Sequence, residues 1–287
     1  MTTGVRLSLF AVLLAAVFAG AAVVGAAVNP SRSDAGDGHA RAGSDGMGDH
    51  AADHDGDTKS SAEALPGLAV AQGGYRLAVK RTAYERSARP QRLTFQIVND
   101  RGDPVRDYDV AHEKRMHFIV VRRDFADFQH LHPRMRDDGT WTQRVTLAHG
   151  GSYRVFADFE RGGERHTVGT DVQVAGDFRA KAPPAERRIV RSDGGLEVTL
   201  RARDGRIGFE IRDEGVVVND RLDPYLGAKG HLVALRQGDL AYLHTHAQGG
   251  KLAFETTYPT AGAYRLFVQF SYEGRIHTAA FTQQVSR

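Results

Sequence analysis

From Pro66 onward the chain is written in short runs of Val, Ile, Tyr, Phe, Leu and Thr that alternate with polar residues, broken at roughly ten-residue intervals by Gly, Asp, Asn and Pro. Successive side chains of an extended strand point to opposite faces, so a period of two marks strands with one buried side. The pattern predicts strands over residues 75–81, 92–98, 116–122, 128–132, 141–147, 153–159 and 166–174. Residues 177–188, DFRAKAPPAERR, are polar with paired prolines and read as a semi-rigid linker. After it the plan restarts, with strands over 196–202, 207–211, 231–235, 242–246, 251–257, 264–270 and 276–285. No segment sustains the 3.6-residue apolar period of a helix.

Six or seven strands per hundred residues is the scale of an immunoglobulin-like or cupredoxin-like unit. The expected fold is all-β: two tandem antiparallel β-sandwich domains, 66–176 and 189–287, joined by the linker.

The amino-terminal part follows other rules. Residues 1–28 carry Arg6 and then an apolar run from Leu7 to Val28 interrupted only by Ser8, which reads as an export segment. Two outcomes stay open: a signal peptide cleaved near Ala19-Gly20-Ala21, or an uncleaved anchor long enough to span a bilayer. Either way the rest of the chain is expected outside the cytoplasm, secreted or membrane-anchored. Residues 29–65 are rich in Gly, Asp, Ala and Ser and hold almost no large apolar side chain, so a disordered tether is expected. Within it, GMGDHAADHDGD sets Met47, His50 and His54 among aspartates, a composition that suits either loose metal binding or a plain soluble spacer.

A repeat carries the candidate chemistry. HFIVVRRDFADFQHLH at 117–132 returns as HLVALRQGDLAYLHTH at 231–246, so His117, His130 and His132 match His231, His244 and His246 at a constant offset of 114. Of the sixteen aligned positions only four are identical, namely the three histidines and the pair Arg122 and Arg236. The apolar positions have drifted, as interchangeable packing residues can. Each half also has a GxYRxFxxF run, Gly151 to Phe159 and Gly262 to Phe270, in which the tyrosine is expected to serve packing at a sandwich corner. A fourth matched pair, His166 and His277, lies fifteen residues beyond each of those glycines, followed by threonine.

If residue 119 pairs with 130 in the first hairpin, His117, His130 and His132 share one face, and a one-residue slip would scatter them. His117, His130, His132 and His166 are therefore the candidate ligands of one site, and His231, His244, His246 and His277 those of a second. His112, His149 and Met116 have no counterpart in the second half, and Met116 is expected in the core. Asp109 and Asp223 do match, and turn chemistry is the expected role of both.

The chain has no cysteine, which excludes thiolate zinc sites, blue-copper centres and thiol catalysis. An all-imidazole set suits Cu(II) or Zn(II) over hard cations, with copper first in affinity order. A formal charge of +3, with 38 basic residues interleaved with 35 acidic ones, gives no basic stripe, and nucleic acid is not an expected partner.

The run MHFIVVRRDFADFQHLHP, with DGTW and GxYRVFADF after it, resembles bacterial exported β-sandwich domains of the YtkA and FixH-like type. The resemblance implies an immunoglobulin-like envelope domain associated with metal handling, copper above all, with His117, His130 and His132 at the matching positions. It covers residues 73–176; the second half lacks the Met before His231 and the Pro after the HxH. The leading expectation is an exported protein that buffers or delivers copper or zinc, handing it to a membrane metal transporter or another envelope protein. An adhesion or scaffold protein with structural histidines is the alternative. A metal-dependent enzyme ranks third, because no general acid or base recurs beside the histidines in both halves.

Overall fold

The computed structural model describes residues 65–203, 205–243, 245–247 and 249–286. The expected export segment (1–28), and the expected tether (29–65) apart from Leu65, lie outside the described residues. Among those described, no helix is long and apolar enough to cross a membrane.

The first sandwich is built from β1 (Ala71–Gln72), β2 (Tyr75–Val79), β3 (Ala83–Glu85), β4 (Ser87–Asn99), β5 (His117–Arg122), β6 (Gln129–Leu131), β7 (Arg134–Met135), β8 (Trp141–Leu147), β9 (Gly151–Arg161) and β10 (Glu164–Ala175). One sheet has the order β1-β2-β4-β8-β7 and the other β3-β10-β9-β5-β6. Pairing is antiparallel throughout except that β3 lies parallel to β10. Inward-facing Leu93, Phe95, Ile97, Phe118, Val120 and Trp141 fill the space between the sheets. Trp141 meets its polar requirement there by donating Nε1–H to the Tyr108 hydroxyl at 3.3 Å.

The second sandwich repeats the plan with β11 (Ile189–Arg191), β12 (Glu197–Arg203), β13 (Arg206–Asp213), β14 (Val216–Val217), β15 (His231–Arg236), β16 (Tyr242–Leu243), β17 (Thr245–Ala247), β18 (Ala253–Thr256), β19 (Gly262–Tyr272) and β20 (Arg275–Val285). Its sheets run β11-β12-β13-β18-β17 and β16-β15-β19-β20. Both domains are immunoglobulin-like β-sandwiches. Each carries a tyrosine corner at the start of its penultimate strand: the Tyr153 hydroxyl lies 3.0 Å from the His149 carbonyl, and the Tyr264 hydroxyl donates to the Thr260 carbonyl at 2.8 Å. The GxYRxFxxF tyrosines thus serve packing, and Met116 is in the core.

A third apolar cluster lies between the sandwiches. On β5 the side chains of Phe118 and Val120 enter the first core, while Ile119 and Val121 face the other way, onto Val233 and Leu235 of β15. Phe156 and Phe267 join the same seam, with Tyr242. Burying such side chains is worth about 1.5–3 kcal/mol each relative to exposure, so the seam holds the domains together as well as the linker does. The linker is itself pinned: Lys181 N–H donates to Asp124, and Gln284 N–H to the Glu186 carboxylate.

The first described residues close the seam from one side. Tyr242 N–H donates to the Pro66 carbonyl at 2.9 Å, and Gly67 N–H to the Thr167 carbonyl at 2.9 Å, so residues 66–67 bridge the two sandwiches. Gly67 has φ +76°, and a Cβ there would lie 2.7 Å from the Phe156 ring. Only glycine fits that backbone and that space.

Candidate metal centre

The seam places the histidines. His117 is the first residue of β5 and His231 the first of β15; each shares the outward face with the apolar residues two and four places on, so both rings reach the space between the domains. The first hairpin has the register Phe118↔Leu131, Ile119↔His130 and Val120↔Gln129, the one that sets His130 on the face of His117.

One ligand nitrogen each from His117, His130 and His231 can be chosen so that all three lie within 4.8 Å of one another. The closest approach is His117 Nδ1 to His130 Nε2, 3.0 Å. Two imidazole nitrogens on one ion at about 2.0–2.1 Å would be separated by roughly 2.9–3.3 Å, so this pair already has the spacing of neighbouring ligands. The other ring nitrogens are engaged by fixed groups: His117 Nε2 with the Ala111 carbonyl at 3.2 Å, and His130 Nδ1 with Gln269 Oε1 at 2.7 Å. His132 and His112 flank the group. The His132 ring centroid lies 4.8 Å from that of His130 and 5.1 Å from that of His117, and that of His112 lies 6.0 Å from His117 and 5.8 Å from His231.

Burial keeps these rings neutral. It lowers His117 and His132 to about 4, and the charge that neighbouring rings would carry acts in the same direction on His132. His130 and His231 are held well below the usual imidazole range, again by burial first and by adjacent imidazoles second. Neutral imidazoles are the form that binds a metal, so no proton has to be displaced near neutral pH.

Two separate sites, one in each domain, were the expectation. Among the described residues the grouping is a single one, and it crosses the seam. The fourth pair stands apart from it. His166 pairs with Phe159 across β9 and β10, and Phe159 faces the first core, so the His166 ring packs on Phe159 and Tyr75, on the opposite side of the sheet from His117. His277 likewise pairs with Phe270 and packs on it. It is the following threonine of each HT pair that faces the seam: Thr167 donates to Asp158 at 2.8 Å, and Gln269 donates Nε2–H to Thr278 Oγ1 at 3.2 Å.

His244 lies outside the described residues, and of His246 only the backbone is described. That backbone pairs with Glu255 of β18, because the strand expected over 242–246 divides: β16 stays beside β15 and β17 crosses to the other sheet. The matched aspartates do turn chemistry, Asp109 accepting from Gly163 N–H and Asp223 from Gly274 N–H.

Sequence reasoning missed His112, Gln269 and the seam itself. His112 and Gln269 have no counterpart of their own kind in the other half, so a repeat cannot flag them. The seam did leave a signal. FIVV at 118–121 and LVAL at 232–235 are apolar at every position, and strands that read so are covered on both faces.

Comparison with solved structures finds likenesses to a two-domain fibronectin type III segment of chicken tenascin and to a marsupial T cell receptor. The first is 10% identical and covers 73% of this chain and 97% of that one, with a TM-score of 0.23. The second is 12% identical and covers 74% and 96%, with a TM-score of 0.23. No curated protein matches the chain. One family model matches it twice, at residues 69–176 and again at 191–287, taking in both sandwiches and every described histidine of the seam, and the chain therefore belongs to that family, the domain of unknown function DUF8832.

Proposed function

We propose that this is an exported metal-binding protein that holds one divalent ion, Cu(II) or Zn(II), in the seam between its two sandwiches, to buffer it or deliver it. The observation that carries this reading is the convergence of His117, His130 and His231, drawn from both domains, with ligand atoms within 4.8 Å. Three neutral imidazoles with no thiolate form a donor set for borderline cations, and affinity order favours copper where it is available. The apolar run at 7–28 and the likeness of the first half to exported YtkA and FixH-like domains support a location outside the cytoplasm. A membrane metal transporter or another envelope protein is the partner such a carrier would serve.

The test is a Zn(II) and Cu(II) titration of residues 59–287, which omit His50 and His54. One tight equivalent, lost in His130→Ala, is the expected result. A second reading, an adhesion or scaffold protein, is favoured by His166 and His277, whose rings pack on aromatic residues as structural histidines would. Absence of tight binding, with melting unchanged by chelator, would select it.

A further inference from the structure

We infer that Gln269, on β19 of the second sandwich, is the positioning residue of the centre: it fixes which nitrogen of His130, in the first sandwich, faces His117. A neutral imidazole has one N–H donor and one lone-pair acceptor, and what each nitrogen meets decides which is which. His130 Nδ1 lies 2.7 Å from Gln269 Oε1, an oxygen that can only accept. In this orientation Gln269 Nε2 donates to Thr278 Oγ1 at 3.2 Å and the Tyr225 hydroxyl donates to Oε1 at 3.4 Å, so both ends of the amide are satisfied. The proton of His130 is therefore on Nδ1, and its Nε2 presents a lone pair.

The same argument fixes the opposite ring. His117 Nε2 lies 3.2 Å from the Ala111 carbonyl oxygen, also only an acceptor, so His117 Nδ1 presents a lone pair as well. These two lone pairs meet at 3.0 Å with no hydrogen between them. Such a contact is repulsive between neutral rings and becomes favourable when a cation accepts both pairs. Gln269 and the Ala111 carbonyl thus arrange the rings for an ion bound through His117 Nδ1 and His130 Nε2. In the first sandwich the position matching Gln269 is Asp158, tied to Thr167, so the repeat keeps the Thr contact and changes the acceptor. A carboxylate or amide acceptor behind a ligating histidine typically contributes about 10- to 100-fold in metal affinity.

This inference rests on the metal-binding reading only for its affinity consequence, and the test separates the two. Imidazole nitrogen–proton correlation spectra of the full, metal-free chain report the tautomer of His130 directly. The expected result is Nδ1–H in the wild type and in Gln269→Glu, which keeps an acceptor oxygen, and loss of that preference in Gln269→Leu. Zn(II) affinity should fall about 10- to 100-fold in Gln269→Leu and be retained in Gln269→Glu. An Nε2–H tautomer in the wild type overturns the inference whether or not any variant folds, and so does a Gln269→Leu protein with unchanged tautomer and affinity. The Nδ1–H tautomer in a wild type that binds no metal would instead remove the metal reading and leave Gln269 positioning a structural histidine.

Discussion

The imidazoles of His117 and His231 lie parallel, with an interplanar angle of 1° and centroids 5.2 Å apart, one ring from each sandwich. They are the same position of the repeat, so the relation between them is an approximate two-fold. Other contacts obey it. Phe128 stacks on Phe267 at 3.9 Å, and its repeat mate Tyr242 packs on Phe156, the mate of Phe267, at 5.6 Å. A patch that meets its own copy is the logic of a symmetric dimer, here within one chain. The histidine group sits beside that axis, which is why the first histidines of the two copies, His117 and His231, meet in one place.

On the proposed function, a ligand set divided between domains would couple metal binding to the stability of both. His231→Ala, a change in the second sandwich, should remove binding as fully as His117→Ala in the first. Free Zn(II) at about 100 times its Kd should stabilise the folded wild type by about 2.7 kcal/mol, read as a rise in Tm of the whole unit. Calorimetry showing only one of two separate transitions moving with metal would contradict a shared centre. His166→Ala and His277→Ala should bind as the wild type does.

Acid should loosen the metal-free protein. His117 and His132 titrate near 6.5 in the unfolded chain and at about 4 in the folded one. Between those values the unfolded chain binds more protons, so stability falls as pH drops from about 6.5 to about 4 and changes no further on account of these two groups below that. His117 alone would contribute about 3 kcal/mol across the window. Urea unfolding at steps between pH 7 and pH 4 measures it, and His117→Gln should flatten the profile. A midpoint that does not move with pH would show that the rings are not buried as described.

The sequence exposed the sandwiches because each long strand declares itself by alternation. Tyr75 to Val79 and Trp141 to Leu147 were legible in this way, while the register of Ile119 with His130, which the structure has, was a condition that alternation alone does not supply. Strands of two or three residues, such as Ala83–Glu85, Arg134–Met135 and Val216–Val217, were not, since two residues cannot show a period. The histidine triplets were legible as a repeated pattern, and their division between domains was not. A repeat shows what each half contains; how the halves dock is decided by side chains on the outer face of β5 and β15, where sequence distance says nothing about contact. His166 and His277 illustrate the opposite error. Their spacing repeats as faithfully as that of the others, yet strand alternation turns them toward Phe159 and Phe270 and away from the seam.

The stack of Phe128 on Phe267, at 3° between planes, is the seam's most direct aromatic contact. Phe128→Ala should cost about 2–3 kcal/mol, less than the about 3–5 kcal/mol of a fully enclosed Phe, because Phe128 is half-buried. A double-mutant cycle with Phe267→Ala should return a coupling of about 0.5–1.5 kcal/mol. Metal affinity should drop in Phe128→Ala although no ligand is touched, because Phe128 immediately precedes β6, which carries His130. Affinity unchanged in a destabilised variant would mean that the centre is fixed by its hairpin alone.

The tyrosine corners supply the matching control, a structural feature of the repeat that lies away from the centre. The Tyr264 hydroxyl donates to the Thr260 carbonyl, and the Tyr153 hydroxyl lies within hydrogen-bonding distance of both the His149 carbonyl and the Asp127 carboxylate. Removing a hydroxyl while keeping the ring deletes the hydrogen bond and leaves the packing, which is worth about 0.5–1.5 kcal/mol for a neutral partner and about 1.5–3 kcal/mol for a charged one. Tyr264→Phe should therefore destabilise at the lower end of that span and Tyr153→Phe at the upper, since Asp127 loses a donor in the second case and no carboxylate is involved in the first. Both variants should bind Zn(II) as the wild type does. Equal destabilisation would show that the Asp127 contact adds nothing, and a loss of metal affinity in either would show that the corner strands β9 and β19 transmit strain to the histidines they flank.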